Sequence, residues 1–161
     1  MDAQLQKIDH GALKANQLVI IVLNLIAFIL NAPWLAGVVG VIMLMGSLLG
    51  VPGFISIYKS VLKPLGWVKP DILLDNPEPH RFAQSFGSVV LLLGLLALYF
   101  NLSVLGWGLV WLVIALAALN AFGGFCAGCF VYYWLTRFGL PGFSKQPPAG
   151  TFPGMRPKGA Q

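Results

Sequence analysis

The chain has 161 residues, enough for one domain, with 58% hydrophobic and only 9% charged residues. A soluble domain carries about 25% charged residues, so this composition excludes an ordinary water-soluble globular protein. The net charge of +5 indicates basic segments facing anionic lipid and requires no nucleic-acid partner.

The placement of the charges predicts four membrane-spanning helices. No charged residue lies between Lys14 and Lys59, or between Arg81 and Arg137. One helix needs about 20 apolar residues to cross a bilayer, so each charge-free stretch holds two helices and a tight turn. The apolar runs are continuous, which argues against the alternating strands of a membrane barrel. We therefore predict an all-α integral membrane protein with four transmembrane helices arranged as two hairpins.

In chain order, three segments are predicted. Residues 1–16 form a cytoplasmic or interfacial lead, residues 17–139 the transmembrane domain, and residues 140–161, rich in proline and glycine, a disordered cytoplasmic tail. The predicted spans cover residues 17–32, 34–58, 83–100 and 105–135. A stiff, proline-rich cytoplasmic loop at 59–82 separates the hairpins. The last span is longer than a bilayer requires, and Gly123–Gly124 is its expected bend.

The distribution of basic residues predicts the orientation. All ten Lys and Arg residues lie before the first span, between the second and third, or after the fourth. Because basic loops stay in the cytoplasm, both termini and the central loop are expected there, in a multi-pass membrane protein. The first apolar run ends at Ala32–Pro33, a poor signal-peptidase site, and is interpreted as a retained anchor.

The two hairpins resemble each other. Residues 25–31 are similar to residues 95–101, and each run ends in an asparagine at a predicted turn. Both hairpins would enter the membrane from the cytoplasm, which predicts an internal parallel repeat about an axis normal to the membrane. In this alignment Cys126 and Cys129 belong to the second half alone.

The only two cysteines, Cys126 and Cys129, are three positions apart and would share one helix face. Such a pair can close a disulfide or carry a transferable sulfur atom through its thiolate form. A helix restarting after Gly123–Gly124 would lower the thiol pKa, whereas hydrocarbon surroundings would raise it. The alternative is helix packing, because Gly124-x-x-x-Gly128 is itself a packing pattern.

Metal binding is a further alternative for the cysteines, although we assign no metal site from the sequence. A zinc site would need His10 and His80, or a second subunit, to complete four ligands. No cofactor is evident. A quinone is a conceivable electron acceptor for thiols inside a membrane, but no residue pattern requires one.

His80 and Arg81 are the other candidate site residues, because they meet the membrane on the same predicted side as the thiols. His80 would exchange protons, and Arg81 would hold an anion or stabilise a thiolate. Asp9 and His10 would join them from the N-terminal lead. The alternative for Arg81 is that it extends to lipid phosphate.

Three short motifs together resemble an uncharacterised bacterial membrane family, domain of unknown function 4395. They are Asn16–Gln17, Arg81-Phe82-Ala83-Gln84 with Gly87, and Cys126-x-Gly128-Cys129 followed by Tyr132 and Tyr133. The resemblance covers roughly residues 8–139, and it implies a location in the bacterial inner (cytoplasmic) membrane. Relatives are sometimes joined to, or encoded beside, thioredoxin-like or sulfurtransferase proteins, which implies thiol or sulfur chemistry with such a partner.

The leading functional hypothesis is an integral membrane thiol protein. Cys126 and Cys129 would perform thiol–disulfide exchange or persulfide transfer with a cytoplasmic thioredoxin-like or sulfurtransferase partner. One alternative is a small transporter or channel for a sulfur species, suggested by the repeat. Another is a structural subunit, in a homo-oligomer or a larger membrane complex. The sequence does not decide whether the chain is an enzyme.

Overall fold

The structure, a computed structural model, describes residues 5–157. Its elements in chain order are β1 (Gln6–Asp9), α1 (His10–Ile29), α2 (Pro33–Leu49), α3 (Ile55–Ile57), a π-helical turn (Tyr58–Leu62), β2 (Ile72–Asp75), α4 (Pro77–Tyr99), α5 (Ser103–Gly123) and α6 (Ala127–Arg137). The fold is therefore predominantly helical, as the sequence predicts, with one small two-stranded sheet within the described residues.

Helices α1, α4 and α5 are each long and apolar enough to cross a membrane, and α2 is apolar but shorter. Large apolar side chains, such as those of Leu49, Val104 and Phe122, are exposed on the outside of these helices. In water such a surface would be costly. The helices therefore indicate a membrane-embedded protein whose exposed apolar side chains contact lipid.

The four longest helices pack in a closed ring. Helix α2 contacts α4, α4 contacts α5, α5 contacts α1, and α1 contacts α2. Ile20, Leu91 and Val110 are fully buried in the core between them. The functional residues described below lie at the end of this ring where α1 and α4 begin and α5 ends.

Two of the predicted spans are interrupted by left-handed glycines. Helix α2 ends at Leu49 because Gly50 adopts a φ of 76°, so the predicted span over 34–58 is not one continuous helix. The predicted span over 105–135 is likewise two helices, since Gly124 has a φ of 64°. The predicted bend is thus correctly located but is a complete break, because a residue in this conformation ends a helix.

The N-terminal lead and the central loop each contribute a strand that the sequence analysis does not predict. β1 and β2 pair antiparallel, with Asp9 opposite Ile72. Asp9 then caps α1, because its carboxylate accepts a hydrogen bond from the N–H of Gly11 at 2.9 Å. Helix α1 consequently begins at His10 rather than near residue 17.

The same order of elements occurs twice along the chain. A strand, two helices, a break and a short helix form both β1–α1–α2–α3 and β2–α4–α5–α6. The turns that follow α1 and α4 both place an asparagine in the left-handed region, with φ of 47° at Asn31 and 60° at Asn101. In both turns the next residue donates a hydrogen bond to the helix carbonyl five positions earlier.

The segment after α6, expected to be disordered, has defined contacts in its described part. The N–H of Cys126 donates a hydrogen bond to the carbonyl oxygen of Gly154 at 2.7 Å. The N–H of Arg156 donates one to the carbonyl oxygen of Gly124 at 2.9 Å. The segment thus folds back over the break between α5 and α6. Residues 158–161 of the predicted tail and residues 1–4 of the predicted lead lie outside the described residues.

Candidate functional site

Cys126 occupies the position immediately before α6, where the chain restarts as a helix. Its backbone is extended, with φ of −95° and ψ of 101°, and its Sγ accepts a hydrogen bond from the N–H of Cys129 at 3.2 Å. The first N–H groups of a helix have no partner within the helix, and their dipoles favour negative charge. In the reduced protein this position would favour the thiolate form of Cys126.

Cys126 and Cys129 lie at disulfide-bonding distance, with their Cα atoms 5.2 Å apart. This separation is within the range that a disulfide bridges without movement of the backbone. Both residues are buried, with exposed fractions of 6% and 3%. They pack with aromatic side chains, including those of Tyr132 and Tyr133, so the sulfur atoms are shielded from bulk water.

The imidazole of His80 lies next to the sulfur of Cys129. Its Nδ1 atom lies 3.5 Å from Sγ of Cys129, across the contact between α4 and α6. That contact depends on Gly128, because a Cβ there would lie 2.5 Å from the Cβ of Ala83, far inside normal contact distance. The glycine therefore lets α6 approach the first turns of α4 and places Cys129 beside His80.

Asp75, at the end of β2, lies behind His80. Its Oδ2 is 2.9 Å from Nε2 of His80 and 3.2 Å from Nε2 of His10, and its Oδ1 accepts the N–H of Asn76 at 2.8 Å. Burial by itself raises the pKa of Asp75, but the neighbouring imidazoles of His10 and His80 and the N–H of Asn76 hold the pKa well below its ordinary value.

A charged Asp75 defines how His80 presents its two nitrogens. The carboxylate accepts a hydrogen bond from the protonated Nε2, so the unprotonated Nδ1 faces the sulfur of Cys129. This tautomer is assigned from the hydrogen-bond network. Asp75, His80 and Cys129 thus form a carboxylate–imidazole–thiol series, an arrangement that moves a proton to or from the sulfur.

The thiols adjoin a larger cavity of about 760 Å³. His10, Gly124 and Arg156 line both this cavity and the small space beside the two sulfurs. Lys14 and Lys69 also line the larger cavity. It lies between the start of α1, the end of α5 and the loop before β2, next to the small space that contains the two sulfurs.

Two of the residues expected near the thiols lie elsewhere. The Nε of Arg81 donates to the carbonyl of Ser47 at 3.1 Å, at the C-terminal end of α2, where a cation is favourable. The carboxylate of Asp9 caps α1 and accepts the hydroxyl of Tyr58 at 2.8 Å. The structure therefore joins His80 and His10 to the thiol site and places Arg81 and Asp9 at helix ends.

Asp75 is the site residue that sequence reasoning missed. It lies in the central loop at 59–82, and the sequence analysis assigns it no role. An available signal was its position two residues before Pro77, which begins α4, and five before His80. An acidic residue just before a helix can reach a histidine in the first turn of that helix. Here this requires the helix to begin at Pro77, and the predicted start was near residue 83.

The described residues contain two groups of three side chains that could hold a metal ion. One is His80, Cys126 and Cys129, and the other is His10, Asp75 and His80. Within each group the ligand atoms all lie within 4.8 Å of one another. The two groups share His80, so they form one continuous cluster with the thiols at one end and the carboxylate at the other.

Comparison with known proteins identifies the family. No curated protein and no solved structure matches the chain. Residues 8–137 match the family described as Domain of unknown function (DUF4395), which confirms the resemblance carried by the Arg81–Gln84 and Cys126–Cys129 motifs. The match covers well over half of the chain, and the protein therefore belongs to this family.

Proposed function

We propose that this chain is an integral membrane thiol protein. Its Cys126–Cys129 pair cycles between disulfide and dithiol in exchange with a thioredoxin-like or sulfurtransferase protein. The observation that carries the proposal is the series of contacts from Asp75 through His80 to Cys129. Packing alone does not require a buried carboxylate and an imidazole beside a sulfur, because buried polar groups are costly unless they are paired.

The proposed exchange begins with attack of a partner thiolate on Sγ of Cys126. A sulfur–sulfur bond forms to the partner, the Cys126–Cys129 bond breaks, and its electron pair leaves on Cys129. His80 enters this step protonated on both ring nitrogens and gives the proton from Nδ1 to that sulfur as it departs, because it is the imidazole 3.5 Å away. Sγ of Cys126 is the attacked atom in this scheme because the leaving sulfur must be protonated, and it is Cys129 that has a proton donor beside it.

A second thiol of the partner completes the cycle. It attacks the partner's own sulfur in the mixed disulfide, so that Cys126 leaves as a thiolate at the N-terminus of α6. Two electrons and one proton have then moved from the partner to the pair, which ends as a thiolate at Cys126 and a thiol at Cys129. The proton of the second partner thiol replaces the one that His80 gave to Cys129. In the opposite direction His80 accepts the proton of Cys129 as that thiol attacks the mixed disulfide on Cys126.

The proposal includes a four-span arrangement with both termini in the cytoplasm of a bacterium. Helices α1, α2, α4 and α5 would cross the membrane as two hairpins, and α6 would lie at its cytoplasmic side. The concentration of Lys and Arg outside the apolar stretches supports this orientation. The repeated order of elements supports a duplicated hairpin. The sulfurs would then face a cytoplasmic partner.

Persulfide transfer would use the same residues, with a sulfane sulfur on Cys126 in place of the partner's cysteine. A small transporter or channel would use the same repeated architecture. The arrangement of Asp75 and His80 around Cys129 favours thiol chemistry over transport, because solute passage needs no proton donor at a sulfur.

Trapping of the mixed disulfide tests the proposal. The Cys129→Ser variant keeps the attacked sulfur, and its Cys126 is first converted to the mixed disulfide with thionitrobenzoate. It should then form a disulfide-linked adduct with a reduced thioredoxin whose own resolving cysteine is replaced by serine, and thionitrobenzoate is the leaving group. The matched Cys126→Ser variant should accumulate little adduct. Maleimide labelling of inverted membrane vesicles and of intact cells then shows from which side Cys126 and Cys129 are reached.

Two results would overturn the proposal. One is equal and negligible adduct formation by both serine variants. The other is wild-type cysteines that become labelled only after denaturation, with or without reductant. Sulfane-sulfur analysis of Cys126 after incubation with a persulfide donor separates persulfide transfer from simple disulfide exchange.

A further inference from the structure

We propose that the reduced form of this site binds one thiophilic divalent metal ion, of which Zn²⁺ is the example. The ligands are Sγ of Cys126, Sγ of Cys129 and Nδ1 of His80. This inference goes beyond disulfide exchange and requires no protein partner. The sequence by itself assigned no metal site, because it could not show that a histidine from another helix meets the cysteines.

The ligand atoms are already close enough for one ion. Those of His80, Cys126 and Cys129 all lie within 4.8 Å of one another. Zinc binds sulfur at about 2.3 Å and nitrogen at about 2.0–2.1 Å, so two ligands of the same ion lie roughly 3–4 Å apart in tetrahedral geometry. In the disulfide the two sulfurs lie closer together than this range, and reduction breaks the bond that holds them there.

The surroundings of His80 match those of a metal-bound histidine. Such a histidine normally donates its second N–H to a carboxylate, which orients the ring and raises its basicity. Here Nδ1 faces the sulfur, and Nε2 lies 2.9 Å from Oδ2 of Asp75. Asp75 is only 4% exposed and is also approached by His10 at 3.2 Å. The carboxylate is therefore held in place for this role.

The cysteines are similarly prepared as ligands. The N–H of Cys129 donates to Sγ of Cys126 at 3.2 Å, a bond that stabilises a thiolate. Two thiolates neutralise a divalent ion, so the complex buries no net charge among the surrounding aromatic side chains, including Tyr132 and Tyr133. Two buried thiolates without the ion would be costly, which adds to the advantage of binding it.

The space at the site accommodates one small atom. A cavity of about 20 Å³ is lined by Cys126, Cys129, His80 and Asp75, among other residues, and a cavity needs roughly 10–15 Å³ to hold one water molecule. Three protein ligands leave a fourth tetrahedral position open, as in catalytic rather than structural zinc sites. That position would take water or a small exogenous ligand.

Binding is controlled by the redox state of the cysteines. A dithiol reductant supplies two electrons and two protons to the Cys126–Cys129 disulfide and leaves as its own disulfide. The metal ion then displaces the two thiol protons as both sulfurs coordinate it. In the disulfide form the sulfur atoms carry no negative charge, and the ion has no thiolate to bind.

Cobalt(II) titration of the full-length protein in detergent tests the inference. The protein is reduced, the reductant is removed without oxygen, and Co²⁺ is added as the probe for Zn²⁺. The expected result is one Co²⁺ per chain, with a near-ultraviolet thiolate-to-cobalt charge-transfer band and intense visible bands of tetrahedral coordination. The oxidised wild-type protein should give neither, and this comparison needs no variant that could misfold.

Variants then assign the ligands. The Cys126→Ser/Cys129→Ser variant should lose both sets of bands, and His80→Gln should keep charge transfer but lose the tetrahedral pattern of the wild type. Asp75→Asn should weaken Co²⁺ binding by about 10- to 100-fold, the usual effect of losing the carboxylate behind a ligating histidine. Arg81→Gln is the matched control, because Arg81 neighbours His80 but contacts Ser47.

Reduced protein that binds no more Co²⁺ than oxidised protein would overturn the inference. A wild-type spectrum and affinity in His80→Gln would overturn the assignment of the third ligand. Either outcome is distinguishable from failure of the exchange proposal, because trapping of a mixed disulfide on Cys126 is measured without any metal ion.

Discussion

The sulfur of Cys129 lies 3.5 Å from Nδ1 of His80, although the two residues are 49 positions apart in the chain. This contact distinguishes the two cysteines, because Cys126 lies at the N-terminus of α6 whereas Cys129 has a proton-transfer partner on α4. The two sulfurs therefore have different surroundings, which the proposed exchange uses by placing the attack of the partner at Cys126 and the leaving group at Cys129.

Replacement of His80 should slow disulfide closure. In reduced His80→Gln protein, Cys129 loses the base that removes its proton, so closure by a small-molecule disulfide should be about 10²-fold slower near neutral pH. Quenched alkylation and gel shift measure the rate. Arg81→Gln is the control, since its guanidinium contacts Ser47, and it should close at the wild-type rate. Equal rates for all three proteins would contradict the role of His80.

Acid should destabilise the protein through Asp75. Its pKa is lower in the folded protein than the ordinary value of 3.8. The charged carboxylate therefore contributes stability that is fully present above about pH 4 and is lost as pH falls through the folded-state pKa. Asp75→Asn should be less stable than wild type at neutral pH and should lose less stability on acidification.

Thermal unfolding in detergent between about pH 7 and pH 3 measures both effects of the Asp75 substitution. The control is Asp71→Asn, whose carboxylate pairs with Arg156 and is partly exposed, so its loss should change stability by less than about 1 kcal/mol. Parallel pH profiles for wild type and Asp75→Asn would contradict the prediction.

A side chain at residue 128 should separate α6 from α4. The Cβ of Gly128→Ala would lie 2.5 Å from the Cβ of Ala83 and 2.7 Å from its Cα. Overpacking of this kind costs about 1–3 kcal/mol, and the shift should also move Cys129 away from His80. Denaturant titration in micelles measures the stability, and the closure assay above measures the contact.

Gly108 provides the matched control for Gly128. It lies within α5, and a Cβ there would meet no atom of residues 5–157 within 4 Å. Gly108→Ala should be neutral or slightly stabilising because alanine favours the helix. Equal effects of the two alanine substitutions would argue against the close contact at Gly128.

The side chain of Asn16 should contribute more to the stability of the fold than that of Asn24, although both are buried amides in α1. The Oδ1 of Asn16 accepts the N–H of Phe54 at 2.9 Å, in the break after α2. Asn16→Leu leaves that N–H without its partner, at a cost of about 1–3 kcal/mol. Denaturant titration measures this cost, and circular dichroism checks that the variant remains helical.

Asn24→Leu is the control for that substitution. The Nδ2 of Asn24 donates to Ile20 in its own helix, and its Oδ1 has no hydrogen-bond partner among residues 5–157. Replacement should therefore be nearly neutral. A greater loss of stability in Asn24→Leu than in Asn16→Leu would show that the break after α2 is not held by Asn16.

Several features of the site could be predicted from the sequence because they depend on local spacing. The closeness of the two sulfurs follows from the separation of Cys126 and Cys129 by three positions, although Cys126 lies just before α6 and does not share a helix face with Cys129. The interruption of the helix follows from Gly123–Gly124. The extent of the interruption did not follow, because two glycines in series allow either a bend or a left-handed residue that ends the helix.

Helices α1 and α4 begin several residues before their predicted starts, because the residues that begin them lie in polar segments. Asp9 begins α1 as a capping residue, and Pro77 begins α4 at a position that suits proline. Hydropathy locates the apolar part of each helix, from about residues 17 and 83. It does not register the polar first turns that carry His10 and His80, which are the turns that reach the site.

By itself, the sequence determined the apolar helical character of the chain, because hydropathy and the absence of charge are properties of each segment alone. Only the tertiary structure decided that Asp75 and His80 meet Cys129. That arrangement depends on the pairing of β1 with β2, which places Asp75 near His10, and on the approach of α6 to α4 at Gly128. Contacts between distant segments depend on how closely whole elements pack, and no single segment carries that information.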